Sequence, residues 1–233
     1  MPSYRIGTTS YIYPDDIIPN IYRLKDRVDD VELLLFESDD DANIHSTKDI
    51  VELKRLSREF DLTYTPHLPL DLQFGGASKS IRDESVNIAA SIIDILSEID
   101  PYCYILHLNI TEDDKRDIPV WQKRSGDSIK SMLSRTKCES NSIALENLNY
   151  PFEFLEDIIA EYDLSICIDI GHLIIAGNDV EEHLNRYIDS TRVIHLHGVD
   201  KERDHVSIRH IDKRLLMGIS EILKEKKYGG VLT

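Results

Sequence analysis

Residues 164–172 read LSICIDIGH, an apolar run that ends on Asp169, with His172 three positions further on. The same cadence recurs along the chain. His67 closes TYTPH, His107 closes YILH, Glu146 comes near the end of IALEN, His195 lies in VIHLHG and His205 in RDHVSI. The runs are rich in Val, Ile, Leu and Tyr, and the polar residue comes toward the C-terminal end. Histidines placed at random would not hold that phase. A barrel of parallel strands collects the C-terminal ends of its strands on one face, where active sites form. Seven residues remote in sequence then meet in one cup, and the pattern points to a polynuclear metal site.

Working outward, strand-like runs fall near residues 4–9, 31–36, 62–68, 102–109, 142–147, 164–170, 191–199 and 229–233. Helical patterns lie between them. Ile81, Ser85, Ile88, Ala89, Ile92 and Ile95 keep close to a 3.6-residue period up to Leu96. Thr47 reads as an N-cap ahead of Ile50, Leu53, Leu56 and Phe60. Phe154 to Ile159, Val180 to Ile188 and Leu215 to Leu223 mark three more helices. Strands alternating with helices imply βαβ units and a parallel sheet, and strands apolar on both faces suit helices packed outside. The expectation is an α/β protein, a (β/α)8 barrel in one domain over residues 1–233. Its last repeat, YGGVLT at 228–233, reads as a turn entering a strand. The barrel is therefore expected to be C-terminally incomplete, with its eighth strand cut short.

Composition narrows the function. The 233 residues carry 43 acidic and 27 basic side chains, a formal net charge of −16. Nucleic-acid binding rests largely on Lys and Arg, and the mixed clusters Asp113–Arg116 and Lys224–Lys227 read as solvated surface. Charge favours a small substrate over a nucleic acid. No stretch approaches the roughly 20 apolar residues that span a bilayer, and the N-terminus lacks a signal-like pattern, so a cytoplasmic protein without membrane contact is expected. Cys103, Cys138 and Cys167 show no CxxC spacing, and Cys103 and Cys167 read as reduced core thiols.

Neutral imidazoles and carboxylates suit zinc, iron or manganese, and the lack of thiolates at these positions argues against a closed structural zinc site. Asp169 and His172 stand at a strand-to-loop junction where each can reach a different ion, and Glu146 can bridge two. Two ions roughly 3.5–4 Å apart can activate water and clamp a phosphodiester. Asn147 is placed to orient the ligands. A lone histidine at a strand end is more often hydrogen-bonded structure than a ligand, but seven in phase outweigh that reading. His197 follows His195 on the same strand face and is expected to line the substrate pocket. His45, His183 and His210 read as surface residues. Asp204 is open between ligand, orienting partner and solvated acid. Tyr11 and Tyr13 follow the first strand and line the cup, or else pack as ordinary aromatics.

The order His67, His107, Glu146, Asp169-x-x-His172, His195, His205 resembles the xylose-isomerase-like superfamily, in particular its endonuclease IV (apurinic-site endonuclease family 2) branch. The resemblance implies a TIM barrel with up to three zinc ions that cleaves phosphodiesters. His67, His107 and Glu146 would hold the first ion, Glu146, Asp169 and His195 the second, and His172 with His205 the third. Within the branch, GTTSYIYP (7–14), TPHLPLDL (65–72), IDIGH (168–172), HLHGV (195–199) and DHVSI (204–208) are most similar to the cobamide-remodelling phosphodiesterases. That likeness implies a corrinoid substrate, cut at the phosphoribosyl bond of its nucleotide loop, with Glu146, His197 and His205 in the catalytic machinery and Tyr11 and Tyr13 against the cofactor-like substrate. Two departures stand out. The branch supplies a further Glu from the end of strand eight, and its Asp-x-His motif has Arg203 in place of the Asp.

Three alternatives compete. A sugar isomerase or epimerase of the superfamily resembles the chain at Glu146, Asp169, His172 and His195, but needs one metal and no His67–His107 pair. An apurinic-site endonuclease would need to overcome the acidic charge. A non-catalytic corrinoid- or metal-binding protein would keep the donors without turnover.

Overall fold

The chain is described by a computed structural model covering residues 4–38, 46–201 and 203–233. Its strands are β1 (Arg5–Thr9), β2 (Asp30–Leu34), β3 (Thr63–His67), β4 (Tyr104–Leu106), β5 (Ile143–Glu146), β6 (Ser165–Asp169), β7 (Thr191–His195), β8 (Gly198–Asp200), β9 (Arg203–Val206) and β10 (Val231–Leu232). Eight of them close into a parallel barrel in the order β1-β10-β7-β6-β5-β4-β3-β2. The fold is a (β/α)8 TIM barrel. The eighth barrel strand is short, two residues, yet it closes the barrel: Val231 and Leu232 pair with Val193 and Ile194 on one side and with Arg5 and Ile6 on the other.

Alternation within each strand divides the core in two. Cys103, Ile105, Ala144, Cys167, Val193 and Val231 point inward and form a small, wholly buried interior cluster. Leu106, Leu145, Ile166, Ile168 and Ile194 face outward into the larger core shared with the helices. The two sequence-predicted core thiols are thus buried, and all three cysteines are unbridged. Cys167 lies two residues before Asp169 on β6, on the same inward face.

The outer layer consists of α1 (Ile17–Leu24), α2 (Thr47–Phe60), α3 (Lys79–Leu96), α4 (Ile118–Leu133), α5 (Glu153–Tyr162), α6 (Ile170–Ala176), α7 (Val180–Tyr187) and α8 (Lys213–Glu225). Local chemistry sets their ends. Ser46, rather than Thr47, caps α2: its Oγ accepts from the Asp49 N–H at 3.2 Å, which leaves Thr47 as the first helical residue. Asp117 caps α4 ahead of Pro119, and Asp179 caps α7. Among the described residues no helix is long and apolar enough to cross a membrane.

One further reading of the sequence needs correction. The run at 191–199 is not one strand: β7 stops at His195, and β8 pairs antiparallel with β9 as a hairpin over the barrel mouth. The segments 68–79 and 109–121 are tied to each other, and Leu70 of the first also lines the cavity above the barrel. Asn109 donates to the carbonyls of Leu70 and Leu72, and the Trp121 indole donates back to the Asn109 carbonyl at 3.1 Å.

Candidate metal centre

Six of the seven expected donors arrive on barrel-strand ends or within three residues of them: His67 ends β3, His107 follows β4, Glu146 ends β5, Asp169 ends β6, His172 lies in the first turn of α6 and His195 ends β7. His205 does not; it reaches the cup from the β8–β9 hairpin, exposed and in the left-handed region at φ 51°. The cup is a cavity of about 430 Å³ lined by His67, His107, Glu146, His172, His195 and His205 together with Tyr11, Ile12, Leu34, Phe36 and Leu70.

Glu146 is the hub, buried at the floor with its two oxygens divided between neighbours. Oε2 lies 3.1 Å from Nε2 of His67 and 2.8 Å from Nε2 of His107. Oε1 lies 3.2 Å from Nδ1 of His195 and 3.8 Å from Nδ1 of His172. Backbone carbonyls fix the orientation of the His67 and His172 rings. Nδ1 of His67 faces the Leu68 carbonyl at 3.0 Å; a carbonyl only accepts, so Nδ1 carries the proton and Nε2 is turned to Glu146. Nδ1 of His172 donates in the same way to the Asn147 carbonyl at 2.9 Å. Asn147, as expected, orients its neighbours, since its side chain also bonds the backbone N–H and C=O of Asp169.

Asp169 is fully buried and doubles as the N-cap of α6, accepting from the His172 N–H at 2.8 Å. The strand-to-loop junction of the sequence reading is in fact strand-to-helix. Oδ2 lies 3.5 Å from Nδ1 of His195, and both oxygens lie within 3.1 Å of Nε2 of His197. Nδ1 of His197 lies 2.9 Å from the His205 backbone nitrogen and 3.2 Å from the Gly198 carbonyl, while Nε2, facing the Asp169 carboxylate, donates to it. The His197 and His205 rings stack 4.1 Å apart. Asp204 stands 3.8 Å from Nε2 of His172 and 3.1 Å from Nδ1 of His205.

Burial and mutual charge set the protonation balance. Burial favours the neutral acid at Glu146, but the imidazoles of His195 and His107 outweigh it and hold the carboxyl well below its ordinary value. Asp169 follows the same pattern, burial being overcome by the hydrogen bonds from His195 and His197. Burial opposes the charged ring at His195, yet Cys167, Glu32 and Glu146 leave its pKa well above the ordinary value. His67 and His197 are raised, against burial, by Glu146 and Asp169 respectively, whereas at His107 burial wins and the pKa falls.

Four sets of donor atoms lie within 4.8 Å of one another: His67, His107 and Glu146; Glu146, Cys167 and His195; Glu146, Asp169 and His172; and Asp169, His197 and His205. Their chemistry fits divalent ions of the zinc or manganese kind: imidazole nitrogens and carboxylates, mostly buried, with one thiol beneath them. The sets differ from the expected partition. His172 groups with Glu146 and Asp169 rather than with His205, and His197, which lines the cavity as expected, also stands beside His205 in a donor set.

Other expectations resolve plainly. Tyr11 lines the cavity, with its ring 5.1 Å from that of Phe36. Tyr13 does not; it packs on α1 with the Arg23 guanidinium 4.9 Å above its ring. His183 is half-buried at the edge of a cleft, packed with Phe152 and Tyr187, and burial lowers its pKa to about 4. His210 is exposed, and His45 lies outside the described residues. A second cleft of about 480 Å³, by Phe152, His183 and Arg186, holds none of the donor sets. The residue the sequence reading missed is Glu32, buried in β2 with Oε2 2.8 Å from Nε2 of His195. Its signal is an acid inside the otherwise apolar run VELLLF at 31–36.

The fold has close solved counterparts. A D-tagatose 3-epimerase-like protein superposes with a TM-score of 0.76 at 18% identity, over 98% of this chain and 89% of that one. The 3-keto-D-glucoside 4-epimerase of E. coli gives 0.73 at 19% identity, over 98% and 90%. Endonuclease IV from Thermus thermophilus gives 0.73 at 16% identity, over 98% and 90%. At these identities the likeness is one of fold. No curated protein sequence matches the chain. The sequence itself matches a family over residues 28–233, and on that match the chain belongs to the xylose isomerase-like TIM barrel family.

Proposed function

We propose that this chain is a metal-dependent phosphodiesterase whose substrate is a cobamide, cut at the phosphoribosyl bond of the nucleotide loop to give cobinamide phosphate and the lower-ligand nucleoside. One observation carries the reading: the two oxygens of Glu146 face different donor groups, His67 and His107 on Oε2 and His195 on Oε1. A carboxylate so divided suits two ions. Bound there, divalent ions would supply an activated water and neutralise charge on the phosphate oxygens. His67, His107 and Glu146 would hold one; Glu146, Asp169 and His195 the other.

The chain's own groups account for the rest. Asn147 and the Leu68 carbonyl keep His172 and His67 in register. His197 donates its Nε2 proton to Asp169 and so steadies that carboxylate. His205, the exposed member of the set, faces the cavity and is assigned to the departing ribose oxygen. Tyr11, Ile12, Phe36 and Leu70, which line the same cavity as the donors, offer a large corrinoid apolar surface. A net charge of −16 supports a small substrate over a duplex.

A sugar epimerase is the second reading, favoured by Nδ1 of the buried His195 facing both Glu146 and Asp169. It leaves His67 and His107 without a role. Incubation with adenosylcobalamin and zinc or manganese should yield cobinamide phosphate and a free nucleoside. Release of cobinamide without phosphate would move the scissile bond, and an intact cobamide beside an epimerised ketose would favour the second reading.

A further inference from the structure

We infer that Glu32 is a positioning residue, which holds His195 with Nδ1 turned toward Glu146 and Asp169 and thereby sets the affinity of that donor set for a divalent ion. The inference rests on the metal reading of Glu146, Asp169 and His195 above.

Glu32 reaches His195 across the barrel interior, from β2 to β7, with β1 and β10 between them in strand order. Both side chains are buried, at 2% and 8% exposure. An acid placed in such an interior is costly unless a partner meets it, and His195 is that partner. A carboxylate facing a ring nitrogen at 2.8 Å accepts from it, so Nε2 carries a proton whether the ring is neutral or charged. The Cys167 thiol is the other group near Nε2, at 3.6 Å, and is a weak acceptor.

With Nε2 committed to Glu32, Nδ1 is the atom left for coordination. It already lies 3.2 Å from Glu146 and 3.5 Å from Asp169. The other tautomer, with its proton on Nδ1, would point the ring's only free electron pair at Glu32 and away from the other two donors. A carboxylate behind a metal-binding histidine fixes its tautomer and raises its basicity, and losing such a partner typically weakens metal affinity about 10–100-fold.

The test uses the full chain, zinc titration and ¹⁵N-histidine NMR on wild type, Glu32→Ala and Glu32→Gln. The amide oxygen of Gln can still accept from Nε2. The expected result is a His195 that carries its proton on Nε2 and binds zinc through Nδ1 in wild type and Glu32→Gln. Glu32→Ala should lose that preference and bind zinc at this site about 10–100-fold more weakly. Unchanged tautomer and affinity in Glu32→Ala would reduce Glu32 to barrel structure and overturn the inference. Equal loss in Glu32→Gln and Glu32→Ala would also overturn it, since the carboxylate would then itself be a ligand. If wild type bound no zinc, the metal reading would fail instead, while the Nε2 proton of His195 would still be read in the metal-free protein.

Discussion

Gly171 lies against His197 so closely that a Cβ at position 171 would overlap the imidazole at Cε1. The first turn of α6 therefore leaves room for the ring that donates to Asp169. Gly171→Ala should force His197 out of place and cost about 1–3 kcal/mol, the usual range for overpacking a filled site. Urea unfolding measures the loss, and metal titration should show weakened binding through Asp169, whose carboxylate loses the His197 donor. A variant as stable as wild type, with unchanged binding, would show that the ring moves freely.

Asp30 gives a pH-dependent prediction remote from the donors. It is buried at the start of β2; Oδ2 accepts from Thr63 and Thr65, and Oδ1 has no partner among the described residues. Burial pushes its carboxyl up to about 7. The folded pKa exceeds the unfolded one of about 4, so the folded state binds the proton more tightly. Its contribution is present below about pH 4 and is lost as pH rises toward 7. Asp30→Asn should be more stabilising at pH 8 than at pH 5, by on the order of 2 kcal/mol. Urea denaturation at the two pH values decides it, and an equal effect at both would refute the assignment.

His205 tests the assignment of the leaving oxygen. His205→Ala should lower kcat for the cobamide by about 10²-fold, the size of losing one transition-state donor, with little change in KM. A change confined to KM would make His205 a substrate-binding residue only.

Charge predicts partner choice. Duplex DNA with an abasic site should bind weakly at physiological salt, with a shallow salt slope, because a protein of net charge −16 displaces few counterions. Fluorescence anisotropy across a salt series measures both. Tight binding with a steep slope would promote the endonuclease reading.

Much of this site was legible because parallel strands impose one rule: their C-terminal ends meet. That rule located His67, His107, Glu146, Asp169, His172 and His195 from isolated runs. It said nothing of Glu32, which lies in the middle of β2 and reaches the site by pointing inward, on the same face as Asp30. His197 was placed on a strand that actually stops at His195; the β8–β9 hairpin that brings His205 beside it has no apolar stripe to announce it. Helix α4 escaped notice because Ser125, Gly126, Ser128 and Ser131 dilute its periodicity, although Gly126 is where the Tyr162 ring packs closely. Helix α6 was hidden inside IDIGH, where strand, cap and helix share five residues.

The central claim is that Glu146 serves two ions at once, and elemental analysis of the purified chain tests it most directly. The wild-type protein, saturated with zinc or manganese and freed of excess, should hold at least two ions per chain. Glu146→Ala should lose more than one of them, because both oxygens of the carboxylate are withdrawn together. A wild-type chain that holds one ion or none, or a Glu146→Ala chain that keeps its full complement, would contradict the account.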